Sequence, residues 1–203
     1  MFTTKGAIRL TAIHIQRGIP ENEIERTATL YYEAFRQKLQ PIFRDETRGI
    51  AVLSQSMQTD YGIVALVDDK VVGIAGFKDA QGSLTNIQPH NVTDVFGFFG
   101  GWARLLALSL FERKVEPNVL LMDGIVVDAS MRGKGIGSRL LDAVIDHAGE
   151  NGYSQVRLDV VDTNPRAQQL YERKGFVATH TETHAWLKPI FGFAGSTTML
   201  KKV

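Results

Sequence analysis

The chain has 203 residues, 44% of them apolar and 22% charged, with a formal net charge of +1. These are the proportions of an ordinary soluble domain, and without an excess of basic residues a nucleic-acid partner is not expected. Cysteine is absent, which excludes disulfides, thiolate metal sites and a cysteine nucleophile, and permits a reducing, cytoplasmic setting, the compartment expected here. The first residues are not followed by an apolar run, so no secretory signal is read. Residues 95–111 are apolar but carry Arg104 and fall short of the roughly 20 residues a membrane span needs. One domain over residues 1–203 is expected, with a helical, apolar insertion at about 78–118.

In chain order, Ile8, Leu10 and Ala12 alternate with Arg9, Thr11 and Ile13, so residues 7–15 read as a first strand. Pro20-Glu21-Asn22-Glu23 opens a helix with acids in its first turn, and Ile24, Ala28, Tyr31 and Phe35 follow near helical spacing. A second helix is expected over about residues 48–57. Residues 63–67, a turn at Asp68-Asp69-Lys70 and residues 71–77 give the clearest hairpin signal.

The insertion reads as one apolar helix, with Gly100 and Gly101 allowing a bend or close packing near its start. Val95, Phe96, Phe98, Phe99, Trp102, Leu105, Leu106, Leu108, Leu110 and Phe111 spread around it and suggest burial on more than one side. Residues 120–127 form a buried strand that ends in Asp128-Ala129-Ser130. Ile136, Leu140, Leu141, Val144, Ile145 and Ala148 then repeat at helical spacing up to the stop at residues 149–152. Val156, Leu158 and Val160 alternate as a strand, residues 164–174 are a helix stopped by Gly175, and strands follow from residue 176 and over 197–203. Strand, glycine turn, helix and strand make a βαβ unit, so the fold class is α/β, a mixed sheet flanked by helices.

The turn Arg132-Gly133-Lys134-Gly135-Ile136-Gly137-Ser138 joins the buried strand to the amphipathic helix. A helix N-terminus carries unpaired N–H groups and about half a positive charge, and so holds anions such as pyrophosphate. Glycines admit such an anion to the backbone, and Arg132 and Lys134 add positive charge. A plain glycine-rich turn with a solvated Arg and Lys stays open on these residues alone. Neither the Walker A loop nor the dinucleotide fingerprint fits, because the spacing is Gly133-x-Gly135-x-Gly137.

What the segment resembles is the GCN5-related N-acetyltransferase (GNAT) pattern Arg/Gln-x-x-Gly-x-Gly/Ala, with Ala129 where many members carry proline. A second stretch, Asn164-Pro165-Arg166-Ala167-Gln168-Gln169-Leu170-Tyr171-Glu172-Arg173-Lys174-Gly175-Phe176, reads by itself as a helix with Asn164 as N-cap, Pro165 at N1 and Gly175 at C′. On that reading a cap accounts for Asn164 and a core aromatic accounts for Tyr171. The stretch also matches the family's Asn-x-x-Ala-x-x-Leu-Tyr-x-x-x-Gly-Phe motif at every element. The two motifs, in the right order, make the resemblance specific over residues 63–77 and 120–176.

The resemblance implies a GNAT-like acyl-CoA N-acyltransferase fold and acetyl-CoA as cosubstrate. Backbone amides of Gly133, Lys134, Gly135, Ile136, Gly137 and Ser138, beside Arg132, would cradle its pyrophosphate. The backbone of Val126 and Val127 would pair with the pantetheine arm, and Asn164 would contact the pantetheine or phosphate region. Tyr171 would protonate the departing thiolate, a role its ordinary pKa near 10 suits. Attack is expected to be direct, in a ternary complex, since no cysteine can carry the acyl group. The thioester oxygen would take an N–H near Val127.

By period two, Leu121, Asp123, Ile125 and Val127 share one strand face, which makes Asp123 a candidate base; a structural, solvated Asp is the alternative. His184 is a reserve base, His147 reads as solvated or structural, and His14 and His90 have no supporting pattern. No His/Asp/Glu cluster has metal-ligand spacing, so no metal is expected. The acceptor is expected to be an amine-bearing small molecule or peptide. A non-catalytic CoA-binding regulatory domain and an acyltransferase for longer acyl-CoA are the alternatives. The insertion and the apolar residues 187–193 are expected to pack together, as an acceptor-pocket wall or a homodimer contact.

Overall fold

Apolar runs on either side of Asp68-Asp69 form the hairpin, in a computed structural model that describes residues 12–203. Strands β2 (Gly62–Val67) and β3 (Lys70–Lys78) pair antiparallel, and Asp68 and Asp69 have φ of 50° and 60°. Two positive φ values make a two-residue type I′ turn, whose twist matches that of the strands. Lys70, expected in the turn, is therefore the first residue of β3. β4 (Val119–Val127) joins β3 antiparallel, α6 (Ile136–Glu150) crosses over, and β5 (Gln155–Val161) lies parallel to β4. With β6 (Val177–Thr183), β7 (Gly195–Lys202) and β1 (His14–Arg17), the sheet has seven strands in the order β1-β2-β3-β4-β5-β7-β6. The expected first strand over residues 7–15 lies, up to residue 11, outside the described residues.

Each sheet face carries its own core. On one, Ile136, Leu140, Leu141, Val144 and Ala148 of α6 bury themselves against Ala65, Ala75, Leu120 and Val156. On the other, α1 (Ile24–Ala34), α2 (Arg36–Phe43) and α3 (Glu46–Ser56) pack Ala28, Tyr32, Phe43, Val52 and Leu53 onto Val64, Val71 and Ile74. Burying one such Leu, Val or Phe contributes about 1.5–3 kcal/mol, so packing rather than helix propensity holds these short helices. α1 is also tethered to the sheet by polar bonds. The Val71 N–H donates to the Glu23 carboxylate at 2.9 Å, and Arg26 Nε donates to the Val71 carbonyl at 2.6 Å.

Several expectations need correction. Residues 21–23 form a 3-10 turn ahead of α1, and Asp45 rather than a later residue caps α3, accepting from the Arg48 N–H at 3.0 Å. The single apolar helix is two, α4 (Pro89–Phe96) and α5 (Phe98–Ser109), broken at Gly97 with φ 72°. Gly97 makes the break, while Gly101 allows close packing: a Cβ there would sit 2.7 Å from Thr93 Cγ2 on α4.

Nor is α5 buried on several sides. Leu105 and Leu108 pack inward, whereas Phe98, Phe99, Trp102, Leu106 and Leu110 are exposed. The predicted meeting of the insertion with residues 187–193 does occur. Phe111 packs edge-on against Phe191 of α8 (Lys188–Phe191) at 5.0 Å and near Phe193 at 6.4 Å. Among the described residues no helix is long and apolar enough to cross a membrane.

Candidate active site

β4 and β5 are hydrogen-bonded neighbours only where Val119, Leu120 and Leu121 face Gln155, Val156 and Arg157. Beyond that the strands part, and the wedge between them is a cleft of ≈ 250 Å³ lined by Met122, Gly124, Ile125, Leu158, Val160, Asn164 and Tyr171. Parallel strands that separate leave backbone groups unpaired along both inner edges. The Asp128 N–H donates to Val72 on β3 at 2.9 Å, so by alternation the N–H groups of Val127 and Ile125 point the other way, into the cleft. Val126 bonds toward β3, and its side chain is buried on the α1 face. The Val127 carbonyl already accepts from Arg132 Nε at 3.2 Å.

At the end of β4, Asp128 fixes the turn. Its carboxylate accepts from the Ser130 hydroxyl at 2.7 Å, the Ser130 N–H at 2.9 Å and Arg26 at 3.2 Å. Those bonds, the Ser130 hydroxyl foremost, hold its pKa below the usual carboxylate range. Gly133 and Gly135 have φ of 79° and 76°, the left-handed conformation that glycine adopts without strain. A Cβ on either would meet nothing within 4 Å, so the loop lies against open space. α6 starts directly after Gly135, which has no side chain to cap it. Among the described residues none accepts a hydrogen bond from the N–H groups of residues 133–138. Bare amides, two glycines and exposed Arg132 and Lys134 fit the pyrophosphate of a coenzyme A molecule.

Asn164 caps α7 (Pro165–Arg173), its Oδ1 accepting from the Ala167 N–H at 3.2 Å. Its amide nitrogen is left to donate toward the cleft it lines. Tyr171, on the same helix, is 5% exposed, and its ring packs by Phe176. Its hydroxyl has no hydrogen-bond partner among the described residues, and burial pushes its pKa up to about 12.

Asp123 differs from the pattern read off the sequence. Gly76 pairs with Gly124 and Phe77 with Met122, so Asp123 is the extra residue of a β-bulge. The bulge resets the alternation. Met122, Ile125 and Val127 face the α6 core, while Leu121, Asp123 and Val126 face the other side. A Cβ at Gly124 would overlap the Phe35 ring, which lies across the strand there. Asp123 thus opens on a second cavity, ≈ 370 Å³, walled by Leu39, Leu53, Leu105, Leu108 and Phe111. The Tyr31 and Thr85 hydroxyls stand 3.5 Å from its Oδ2, the long limit of a hydrogen bond. Burial, then the Asp123 charge, raises the Tyr31 pKa well above 10.

Asp123, Phe35, Lys38 and Arg113 line both cavities and mark where they meet. Sequence reasoning missed Lys38, Arg113 and Asp159, whose buried carboxylate is ion-paired with Arg113 at 3.0 Å and accepts from the Thr198 hydroxyl at 2.5 Å. The signal for Asp159 was an acid amid the alternating Val156, Leu158 and Val160; Lys38 and Arg113 carried none. His184 lines neither cavity and stands exposed, 3.5 Å from Glu182. His147 packs its ring on Phe77 at 4.7 Å, and burial lowers its pKa. Among the described residues no group of three or more His, Asp or Glu is placed to hold a metal ion.

A splayed strand pair, an uncapped glycine-rich helix start following β4, and a tyrosine and an aspartate lining the cleft between the strands make up the candidate site. The model of the acetyltransferase (GNAT) family matches residues 23–176, and the chain belongs to that family. It is 42% identical over 69 residues to thialysine N-epsilon-acetyltransferase of Bos taurus, covering 34% of this chain and 39% of that enzyme. It is 42% identical over 64 residues to mycothiol acetyltransferase of Propionibacterium freudenreichii, covering 31% and 20%. Both matches thus span less than half of the relative's length. A solved GCN5-related N-acetyltransferase from Kribbella flavida superposes with a TM-score of 0.63 at 19% identity, covering 95% of this chain and 98% of that one, a likeness of fold.

Proposed function

We propose that the chain transfers the acetyl group of acetyl-CoA to an amine by direct attack within a ternary complex. The observation that carries this reading is the meeting of the two cavities at Asp123, one reaching Tyr171 and leading along the open strand edge, the other bordered by α1, α2, α3, α5 and the loop at residues 83–87. The N–H groups of Gly133, Lys134, Gly135, Ile136, Gly137 and Ser138, with Arg132, hold the pyrophosphate, and the inner edge of β4 at Val127, with the Asn164 amide, holds the arm. Acetyl-CoA supplies an acyl carbon already activated by its bond to sulfur.

The work left to the protein is orientation and proton movement. The amine attacks as the neutral base, forming C–N as C–S breaks. Asp123 takes the proton that the amine gives up, and the cleft-facing N–H of Val127 stabilises the oxygen. A phenol near pKa 12 keeps its proton in the resting site. Tyr171 therefore acts first as a hydrogen-bond donor to the sulfur, and its proton follows as charge builds there.

The test is thiol release from acetyl-CoA with a panel of amines, beside calorimetric binding. Gly135→Leu puts a side chain where φ is 76° and the loop faces open space. Strain of about 1–2 kcal/mol leaves the fold standing, while acetyl-CoA affinity falls at least about tenfold if the 133–138 amides hold it, one tenfold step being about 1.4 kcal/mol. Unchanged affinity in a folded variant would remove the assignment.

A further inference from the structure

The junction of the two cavities holds charges that satisfy one another poorly. Lys38 projects from α2 with its Nζ 5.5 Å from the Phe111 ring centroid and 5.6 Å from that of Phe193. No carboxylate lies within ion-pair distance of it among the described residues, although Asp123 lines the same two cavities. Among the described residues Asp123 likewise has no cationic partner within ion-pair distance, and the hydroxyls of Tyr31 and Thr85 are its hydrogen-bond neighbours. Arg113 is different, since its Nη1 is anchored to the buried Asp159, which Thr198 holds in turn. The guanidinium keeps further N–H donors for the cavities it lines.

An ammonium and a carboxylate partly withdrawn from water, each without an oppositely charged partner within ion-pair distance, are unfavourable unless a ligand completes them. Burial, and after it Arg113, lowers the Lys38 pKa to about 8 against the opposing pull of Asp123 and Asp159. One molecule that carries an ammonium and a carboxylate on the same carbon would satisfy the two together. Of the remaining walls, one part, Leu39, Leu53, Leu105 and Leu108, is apolar and suits an apolar side chain, while Ser83, Thr85, Asn86 and the mutually paired Lys78 and Glu112 make up a polar part.

We infer that the acceptor is an α-amino acid with an apolar side chain, its amine presented to Asp123 and its carboxylate held between Lys38 and Arg113. This rests on the acetyltransferase reading and narrows it. A polyamine, by contrast, would bring a second positive charge toward two cations, which is unfavourable.

The experiment measures thiol release with matched acceptors that differ only in the carboxylate: leucine against 3-methylbutylamine, phenylalanine against phenethylamine. The amino acid of each pair should have the higher kcat/KM by about tenfold or more, the yield of a charged hydrogen bond. In Lys38→Met that preference should collapse toward one through a raised amino-acid KM, while Lys38→Arg, which keeps a cation, retains much of it. A thermal melt confirms that both variants are folded, and acetyl-CoA affinity should hold in both. Faster turnover of the amines that lack the carboxylate, or a preference that survives Lys38→Met, overturns the acceptor class and leaves the transferase reading standing. No thiol release with any amine would remove that reading, and this proposal with it.

Discussion

Lys38→Met removes a charge from the cavity junction and keeps an unbranched apolar stem, so it isolates what the ammonium does to the fold. Burial, and after it the nearby Arg113, lowers the Lys38 pKa from 10.5 to about 8, against the pull of Asp123 and Asp159. At about 1.4 kcal/mol per pH unit the difference amounts to about 3 kcal/mol, as an upper estimate. The sign follows from proton counting. Below pH 8 the lysine is charged in both states, and the folded state carries the whole penalty. Between about 8 and 10.5 the unfolded chain binds the extra proton, so wild-type stability rises with pH, and above 10.5 the penalty is gone.

The variant should therefore be more stable at pH 7 by up to about 3 kcal/mol, or roughly 6–12 °C in Tm for a chain of this size. That advantage should shrink steadily from pH 8 to 10.5. Urea denaturation of both proteins at pH 7, 8, 9 and 10 measures it, urea being uncharged. A gap independent of pH, or a variant less stable at pH 7, would refute the claim that Lys38 is held at a cost to the fold.

Two further outcomes are expected. Tyr171→Phe should lower turnover by about 10²–10⁴-fold with acetyl-CoA affinity held; its thermal stability should not fall, because the hydroxyl has no hydrogen-bond partner to lose among the described residues. Full turnover where chemistry limits the rate would end its role as acid. Gly124→Ala drives a Cβ into the Phe35 ring, so urea denaturation should show a loss of about 1–3 kcal/mol. Because Phe35 borders both cavities, thiol release should fall as well, and a variant as stable as wild type would mean that the ring does not lie across the strand.

The sequence by itself determined what depends on near neighbours. Asn164 caps its own helix three residues on, the run from Ile136 to Ala148 buries the face its spacing selects, and Gly133 and Gly135 take the left-handed φ that a tight strand-to-helix turn requires. The hairpin was equally local, since Asp68 and Asp69 accept positive φ; only its length was misjudged, by one residue. α2 escaped notice because it has eight residues, contains Pro41 and follows α1 with only Phe35 between them, although Leu39, Ile42 and Phe43 mark its buried face. The break at Gly97 was hidden in the same way, inside an apolar run whose glycine pair Gly100-Gly101 was the expected place for a bend.

Only the tertiary structure decided the site's interior. A bulge exists relative to a partner strand, so the turning of Asp123 away from Ile125 and Val127 follows from pairing with β3 and could not be counted along β4. The cleft exists because β4 and β5 part after three paired residues, a divergence that no single strand encodes. Lys38, Arg113 and Asp159 come from a helix, a loop and a strand far apart in the chain. Lys38 and Arg113 have no local pattern and Asp159 only an acid in an alternating strand, because what makes each matter is the charge that the others bring within reach through a low-dielectric interior.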